Sequence, residues 1–274
     1  MDRIWQWAWD RYGARYSWAC WAITFCAALP VYLAWSLLIV AFEKSDRYVE
    51  AATVTAIAVL VYVYALVLPG GKGLRPVEQW AAGDDIDRTH ALQASYTYVR
   101  GLTVRAVVVT AVWSAVLFGG IGMIAGAGGW RLIHYAILGA VVGTAGQLIT
   151  VHSYVEGASR PPRAAIAAGT DIGDSLPRSR PSFGMWTNAA MIAVGFAFAV
   201  FGGMLGAVFD VGSHGPGLAI MIGAVLVLGI GPSVFTSYSP LLQPVRDLAE
   251  GTERVAAGDY SRRLPVVQDD DLGA

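Results

Sequence analysis

Residues 239–274 read SPLLQPVRDLAEGTERVAAGDYSRRLPVVQDDDLGA, and the rest of the chain is organised around this stretch. Leu241, Val245, Leu248, Thr252 and Val255 are spaced by 4, 3, 4 and 3 residues. That is an a/d seam, the spacing at which helices pair side by side. The seam stops at Gly258-Asp259, a helix-ending glycine followed by a polar residue. An irregular basic piece follows, Tyr260 to Gln268, and then a new acidic start, Asp269-Asp270-Asp271-Leu272-Gly273. A long apolar run lies directly upstream.

Pro244, the two short heptads, Gly258-Asp259, the basic connector and the closing Asp270-Asp271-Leu272-Gly273 resemble a HAMP domain. The resemblance covers the first helix, the connector and the entry to the second helix. It implies two short parallel helices per subunit, joined into a four-helix bundle in a homodimer. Pro244, Val245, Leu248, Thr252, Val255, Gly258, Asp259, Asp271 and Gly273 then form the candidate signal-transmission element. Half a HAMP unit has nothing to drive, so the chain is expected to be the front part of a longer protein. The plainer alternative is an amphipathic juxtamembrane tail without a signalling role.

The composition sets the class. Apolar residues make up 55% of the chain and charged ones only 14%, with a mean hydropathy of +0.52. Soluble domains carry about 25% charged residues. The net charge of -1 says nothing about nucleic acid, but the lack of a basic stripe of the kind that tracks phosphates argues against such a partner. Cys20 and Cys26 both lie in the first apolar run, with neither a disulfide framework nor metal spacing. The chain is expected to be an all-α integral membrane protein in contact with the lipid bilayer.

Residues 1–16 do not form a signal peptide. Trp5, Trp9, Tyr12 and Tyr16 fall on one helical face, among Asp2, Arg3, Asp10, Arg11 and Arg15. This pattern predicts an amphipathic helix lying in the membrane interface. Six apolar runs follow over residues 17–42, 48–69, 102–125, 132–155, 184–209 and 216–238, each near the ~20 residues that cross a bilayer as helix. They make residues 17–240 a six-span membrane domain, with 241–274 as the truncated HAMP unit. Pro30 and Pro232 should kink the first and last spans. Of the 19 Lys and Arg, only Lys44, Arg47 and Arg131 follow odd-numbered spans. Under the positive-inside rule both termini are cytoplasmic in a multi-pass plasma-membrane protein. The external loops are too short for a sensor domain, so an external ligand must be small or arrive through the membrane.

An internal repeat adds to this picture. Pro76 precedes Gly83, Pro162 precedes Gly169 and Pro244 precedes Gly251, each by seven residues and each after an even-numbered span. The fold expected is a six-helix bundle of three parallel two-helix repeats, each ending in a helix that starts near a proline. Recurrence by chance in an Ala/Gly-rich chain is the alternative.

Enzyme motifs are absent: no nucleophile elbow, P-loop, CxxC or metal-spaced His/Glu pair. No catalytic, cofactor-binding or metal residue is assigned. His90, His134, His152 and His214 are dispersed, and His152 with Glu156 is an i, i+4 pair with a minor prospect of pH-sensitive contact. Gln147 and Asn188 are the clearest polar groups within spans. They read first as interhelical hydrogen-bond glue and second as a polar spot in a pocket for a small or hydrophobic ligand. Gly122/Gly126, Gly139/Gly143 and Gly202/Gly206 are GxxxG pairs that should mark tight helix contacts.

Six spans, minimal loops and a HAMP piece on the last span together resemble the membrane-anchored class III adenylate cyclases of actinobacteria, particularly the mycobacterial type. The residues carrying that likeness are confined to 244–273. The resemblance implies a homodimer that converts ATP to cyclic AMP with two Mg2+ or Mn2+ ions, held by a catalytic domain this sequence does not contain. The competing expectations are the input domain of a HAMP-linked histidine kinase or diguanylate cyclase, and a small transporter or channel.

Overall fold

A computed structural model describes residues 2–168, 192–193, 202 and 239–258, all of them helix, turn or loop. The expected fifth and sixth spans, Asn188, Pro232, Gly206, His214 and the connector from Asp259 through Asp271 and Gly273 lie outside the described residues. So does the third repeat's pair of spans.

The described helices are α1 (Asp2–Tyr12), α2 (Tyr16–Phe42), α3 (Tyr48–Val67), α4 (Arg75–Ala82), α5 (Arg88–Ile124), α6 (Trp130–Ala167) and α7 (Ser239–Ala256). Among the described residues, four stretches are long and apolar enough to cross a membrane: Arg3–Phe42, Tyr48–Val67, Arg88–Ile124 and Trp130–Ala167. The bundle therefore has two ends. The base carries α1, α4, the start of α2 and α5, and the finish of α3 and α6. Among the described residues, the distal end carries the short links between α2 and α3 and between α5 and α6.

Local chemistry sets the boundaries. No charged residue interrupts α2 between Tyr16 and Phe42, and Pro30 sits inside it. α3 stops where Leu68 takes φ 49, just before Pro69-Gly70. In α4, Pro76 occupies the first turn, where its missing N–H costs nothing. Gly83 closes that helix at φ 88, its N–H bonding Trp80 O and that of Asp84 bonding Gln79 O, the paired bonds that satisfy orphan carbonyls at a helix end. Asp87 caps α5 by accepting from the His90 N–H at 3.0 Å.

α5 and α6 form an antiparallel hairpin of 37 and 38 residues. At 1.5 Å per residue each is roughly 55 Å long, against ~30 Å for a hydrocarbon core. Both therefore run on beyond the membrane at the base. The expected spans at 102–125 and 132–155 are thus the apolar parts of longer helices. α5 begins fourteen residues earlier than its apolar run because Ala91, Leu92, Ser95, Tyr96 and Val99 give it a buried face there. The hairpin crosses at Gly139 and Gly143. A Cβ at Gly139 would meet Ser114 O at 2.1 Å, and one at Gly143 would meet Ser114 Oγ at 2.5 Å. The Gly122/Gly126 pair behaves differently. Gly122 accommodates the Tyr135 ring, whereas Gly126 lies past the end of α5 at φ 95 with no neighbour within 4 Å. It ends the helix instead of packing it.

The proline-started helix of the repeat appears as a separate element only after α3, as α4. In the second copy Pro161 and Pro162 sit inside the continuous α6, and in the third α7 begins at Ser239, upstream of Pro244. The physical reason for the second case lies at the base.

Candidate functional site at the base of the bundle

Proline inside a helix leaves the carbonyl four residues earlier without a partner. For Pro162 that carbonyl belongs to Ala158. The Tyr16 hydroxyl, at the first turn of α2, donates to Ala158 O at 2.6 Å. The lost intrahelical bond is replaced from a neighbouring helix, so α6 continues through its prolines. One residue on, Arg163 is fully buried. Its Nη1 lies 2.8 Å from Glu156 Oε2, its Nε donates to Ser95 Oγ at 3.1 Å, and its guanidinium carbon stands 4.0 Å from the centroid of the Tyr96 ring. Glu156 is 7% exposed. A buried charge persists only when paired and hydrogen-bonded, and both conditions hold here. This cluster pins the end of α6 to the start of α5.

A second clamp fastens α4. Glu78 is 9% exposed, and its Oε1 accepts from the Ser17 N–H at 2.8 Å and the Ser17 hydroxyl at 2.7 Å. The same Ser17 Oγ accepts from the Gly70 N–H at 2.8 Å. Ser17 is the second residue of α2, so the carboxylate sits at the positive end of that helix and satisfies one of its orphan donors. Val77 beside it is fully buried. Tyr98 on α5 donates to Val67 O at 2.5 Å, closing the end of α3. Every described helix end at the base is thus tied to another helix by a side chain.

α1 is the outermost layer. Trp5, Ala8 and Trp9 are buried, whereas Tyr12 is 45% exposed. The aromatic face that sequence assigned to the interface is therefore largely turned onto protein. Trp5 meets Tyr154 of α6 edge-on at 4.9 Å, and Trp9 meets Tyr16 at 5.3 Å. The Tyr154 hydroxyl reaches Thr24 Oγ1 at 2.8 Å. α1 therefore doubles back along the first turns of α2.

Higher in the bundle, Gln147 donates from Nε2 to the Tyr62 hydroxyl at 3.1 Å, and that hydroxyl pairs with Thr110 Oγ1 at 2.5 Å. Tyr62 stacks on Trp113 at 4.3 Å, with Tyr32 packed edge-on against the same indole at 4.7 Å. This polar-aromatic knot joins α2, α3, α5 and α6, with Gln147 linking α6 to α3. At the distal end Glu43 holds Arg131 at 2.9 Å and accepts from the Tyr135 hydroxyl at 2.7 Å. His134 is exposed, and Glu156 is engaged by Arg163. Among the described residues no group of three His, Cys, Asp or Glu converges as a metal site.

α7 carries Pro244, Val245, Leu248, Thr252 and Val255 and contacts α6. It is strongly two-faced in sequence, yet Leu248 is 60% exposed, Val255 50%, and Thr252 is exposed. Spaced by four and three residues, these three share one exposed stripe that the described residues leave uncovered. α7 ends at Ala256, where the Ala257 and Gly258 N–H groups bond Glu253 O and Val255 O, and Gly258 takes φ 81.

Sequence reasoning did not single out Glu78, Ser17, Arg163 or Ser95, and it read Tyr16 only as part of an interfacial aromatic face. Two signals were present. Arg163 stands seven residues after Glu156, on the same helical face two turns on. Pro162 also announces an orphaned carbonyl at Ala158.

Among known families, the HAMP domain matches residues 238–274. No curated protein and no solved structure matches the chain. The membrane-length helices and this match define a HAMP-linked integral membrane protein, a class in which the HAMP segment serves as a signal-transducing linker.

Proposed function

We propose that this chain is the membrane input module of a HAMP-linked adenylate cyclase. The observation that carries the input role is the uncovered stripe of Leu248, Thr252 and Val255 on α7, inside the HAMP-matched segment and in contact with α6. A second copy of the chain covers that stripe in a parallel homodimer, and the signal leaves as rotation or tilt of the paired α7 helices. The clamps at the base support this direction of travel. They tie α1 to α6 into one body, against which α7, in contact with α6, can move.

The proposal includes the finer architecture: six spans in three parallel repeats, and both termini on the cytoplasmic side of the plasma membrane. The signal arrives within the bilayer, from a small or hydrophobic ligand or from the membrane itself, because the distal links Glu43–Arg47 and Ala125–Gly129 have five residues each. The cyclase identity rests on the likeness in architecture. The described residues offer no donor set for the two divalent ions such a catalytic domain uses, and the proposal assigns that chemistry to a domain beyond residue 274.

The test is cyclic AMP production in membranes by the full-length gene product and by a version lacking residues 1–240. The expected result is lower or differently regulated activity on truncation. Absence of cyclic AMP from both, with folded protein, ATP and metal supplied, would overturn the cyclase reading. An output insensitive to helix-breaking insertions after Pro244 would overturn the transmission role.

A further inference from the structure

We infer that the outward face of α1 is a binding surface for the headgroups of anionic phospholipids. One face of this helix is fixed by Trp5, Ala8 and Trp9, which are 1%, 0% and 8% exposed. The opposite face carries Ile4, 50% exposed, and Trp7, 58% exposed, with Tyr12 edge-on to Trp7 at 5.8 Å. Arg3 and Arg11 are exposed one turn before and one turn after Trp7, so the three side chains form a stripe. Arg3, Gln6, Trp7, Asp10 and Arg11 line a shallow cleft. The Asp10 carboxylate accepts from Gln6 Nε2 at 2.8 Å and keeps its negative charge, so Arg3, Arg11 and Asp10 together leave the cleft with a net charge of +1.

Both chemistries of the stripe match one occupant. An exposed indole beside an isoleucine is costly in water but suits the boundary between headgroup and acyl chain. Guanidinium groups fork onto phosphate oxygens. Depth agrees with this, because α1 lies back along the first turns of α2, where Trp18 is 46% exposed. The same end of the bundle exposes Arg15, Lys72 and Arg75. The acidic group Asp84, Asp85 and Asp87 follows Gly83 at the end of α4. A free phosphate ion would answer the arginines and leave Trp7 and Ile4 uncovered. A lipid covers all four.

The surface also has a route inward. Trp5, on the buried side of the same short helix, packs on Tyr154 of α6, and α6 is the helix that α7 touches. This inference is independent of what lies beyond residue 274.

The experiment is native mass spectrometry of the full chain in detergent, titrated with phosphatidylglycerol or with phosphatidylcholine. The net charge of +1 near an anionic surface, at about 1 kcal/mol, corresponds to a preference of roughly fivefold for the anionic lipid at the tightest site. Arg3→Gln/Arg11→Gln, which leaves Asp10 as the charge of the cleft, is expected to abolish that preference. Both side chains are exposed, and an unchanged melting temperature checks that the variant folds. Trp7→Ala is expected to weaken both lipids while keeping their ratio. Equal binding of the two lipids by the unaltered chain, or an undiminished preference in the double variant, would overturn the inference. Displacement of phosphatidylglycerol by millimolar inorganic phosphate would identify a free-anion site and overturn it as well.

Discussion

Replacing Tyr16 by phenylalanine removes one oxygen and leaves the ring. The ring's packing against Trp9 at 5.3 Å is retained, so the variant tests the 2.6 Å bond to Ala158 O almost alone. Ordinarily a helical carbonyl losing a side-chain donor keeps its intrahelical partner. Ala158 O cannot, because residue 162 is proline. Its desolvation is then uncompensated, which costs about 1–3 kcal/mol. At about 2–4 °C per kcal/mol, a central value of about 2 kcal/mol lowers the melting temperature by roughly 4–8 °C. The assay is thermal unfolding of the purified chain followed by tryptophan fluorescence. The decisive comparison is made in a Pro162→Ala background, where residue 162 regains an N–H for Ala158 O. There Tyr16→Phe should cost less than half as much, a coupling between side chains that a double-mutant cycle isolates. An equal cost in both backgrounds would refute the reasoning and show that the hydroxyl does not stand in for the proline's missing donor.

Four further outcomes are expected. Arg163→Met or Glu156→Gln alone should destabilise by about 3–5 kcal/mol, while Glu156→Leu/Arg163→Met together should cost far less, since the pair leaves no orphan charge; melting temperatures of the three variants decide this. Gly139→Ala should cost about 1–3 kcal/mol, because its Cβ would strike Ser114 O, whereas Gly146→Ala, with nothing within 4 Å, should be near neutral; similar losses in both would refute the crossing point. Gln147→Leu should lose only about 0.6 kcal/mol, the average worth of such a bond between membrane helices, and a much larger loss would point to a role other than glue. Leu248→Cys should cross-link two copies of the chain in membranes under oxidation, whereas cysteine at Ala249, on the neighbouring face, should not; equal cross-linking would count against the seam.

Much of this was legible in the residues. The apolar runs gave the membrane helices of the first four spans, since length and hydropathy alone decide whether a helix can cross. The seam of α7 and its glycine stop were readable because helix periodicity and left-handed caps are local properties. Gln147 was noticed for the same reason, as a polar group in an apolar run. The base was harder. Pro162 looked like the start of a new helix, because a proline judged locally is a helix breaker; its tolerance depends on Tyr16, 142 positions away along the chain on another helix. The early start of α5 escaped notice because its buried face mixes Ser95 and Tyr96 with Ala91, Leu92 and Val99. The outward turn of Tyr12 and the inward turn of Trp5 could not be told apart, since an amphipathic face can be covered by lipid or by protein with the same residues.

By itself the sequence determined that the chain carries apolar helices long enough to cross a membrane and that residues 238–274 have HAMP character. These follow from composition, length and short-range spacing, which need no partner to be read. The tertiary structure decided how the base is fastened: Glu78 on the first turn of α2, Arg163 among Glu156, Ser95 and Tyr96, and α1 folded onto α6. Buried polar groups persist only where another element supplies their partner. That partner is chosen by the fold, and it cannot be found by reading along one helix.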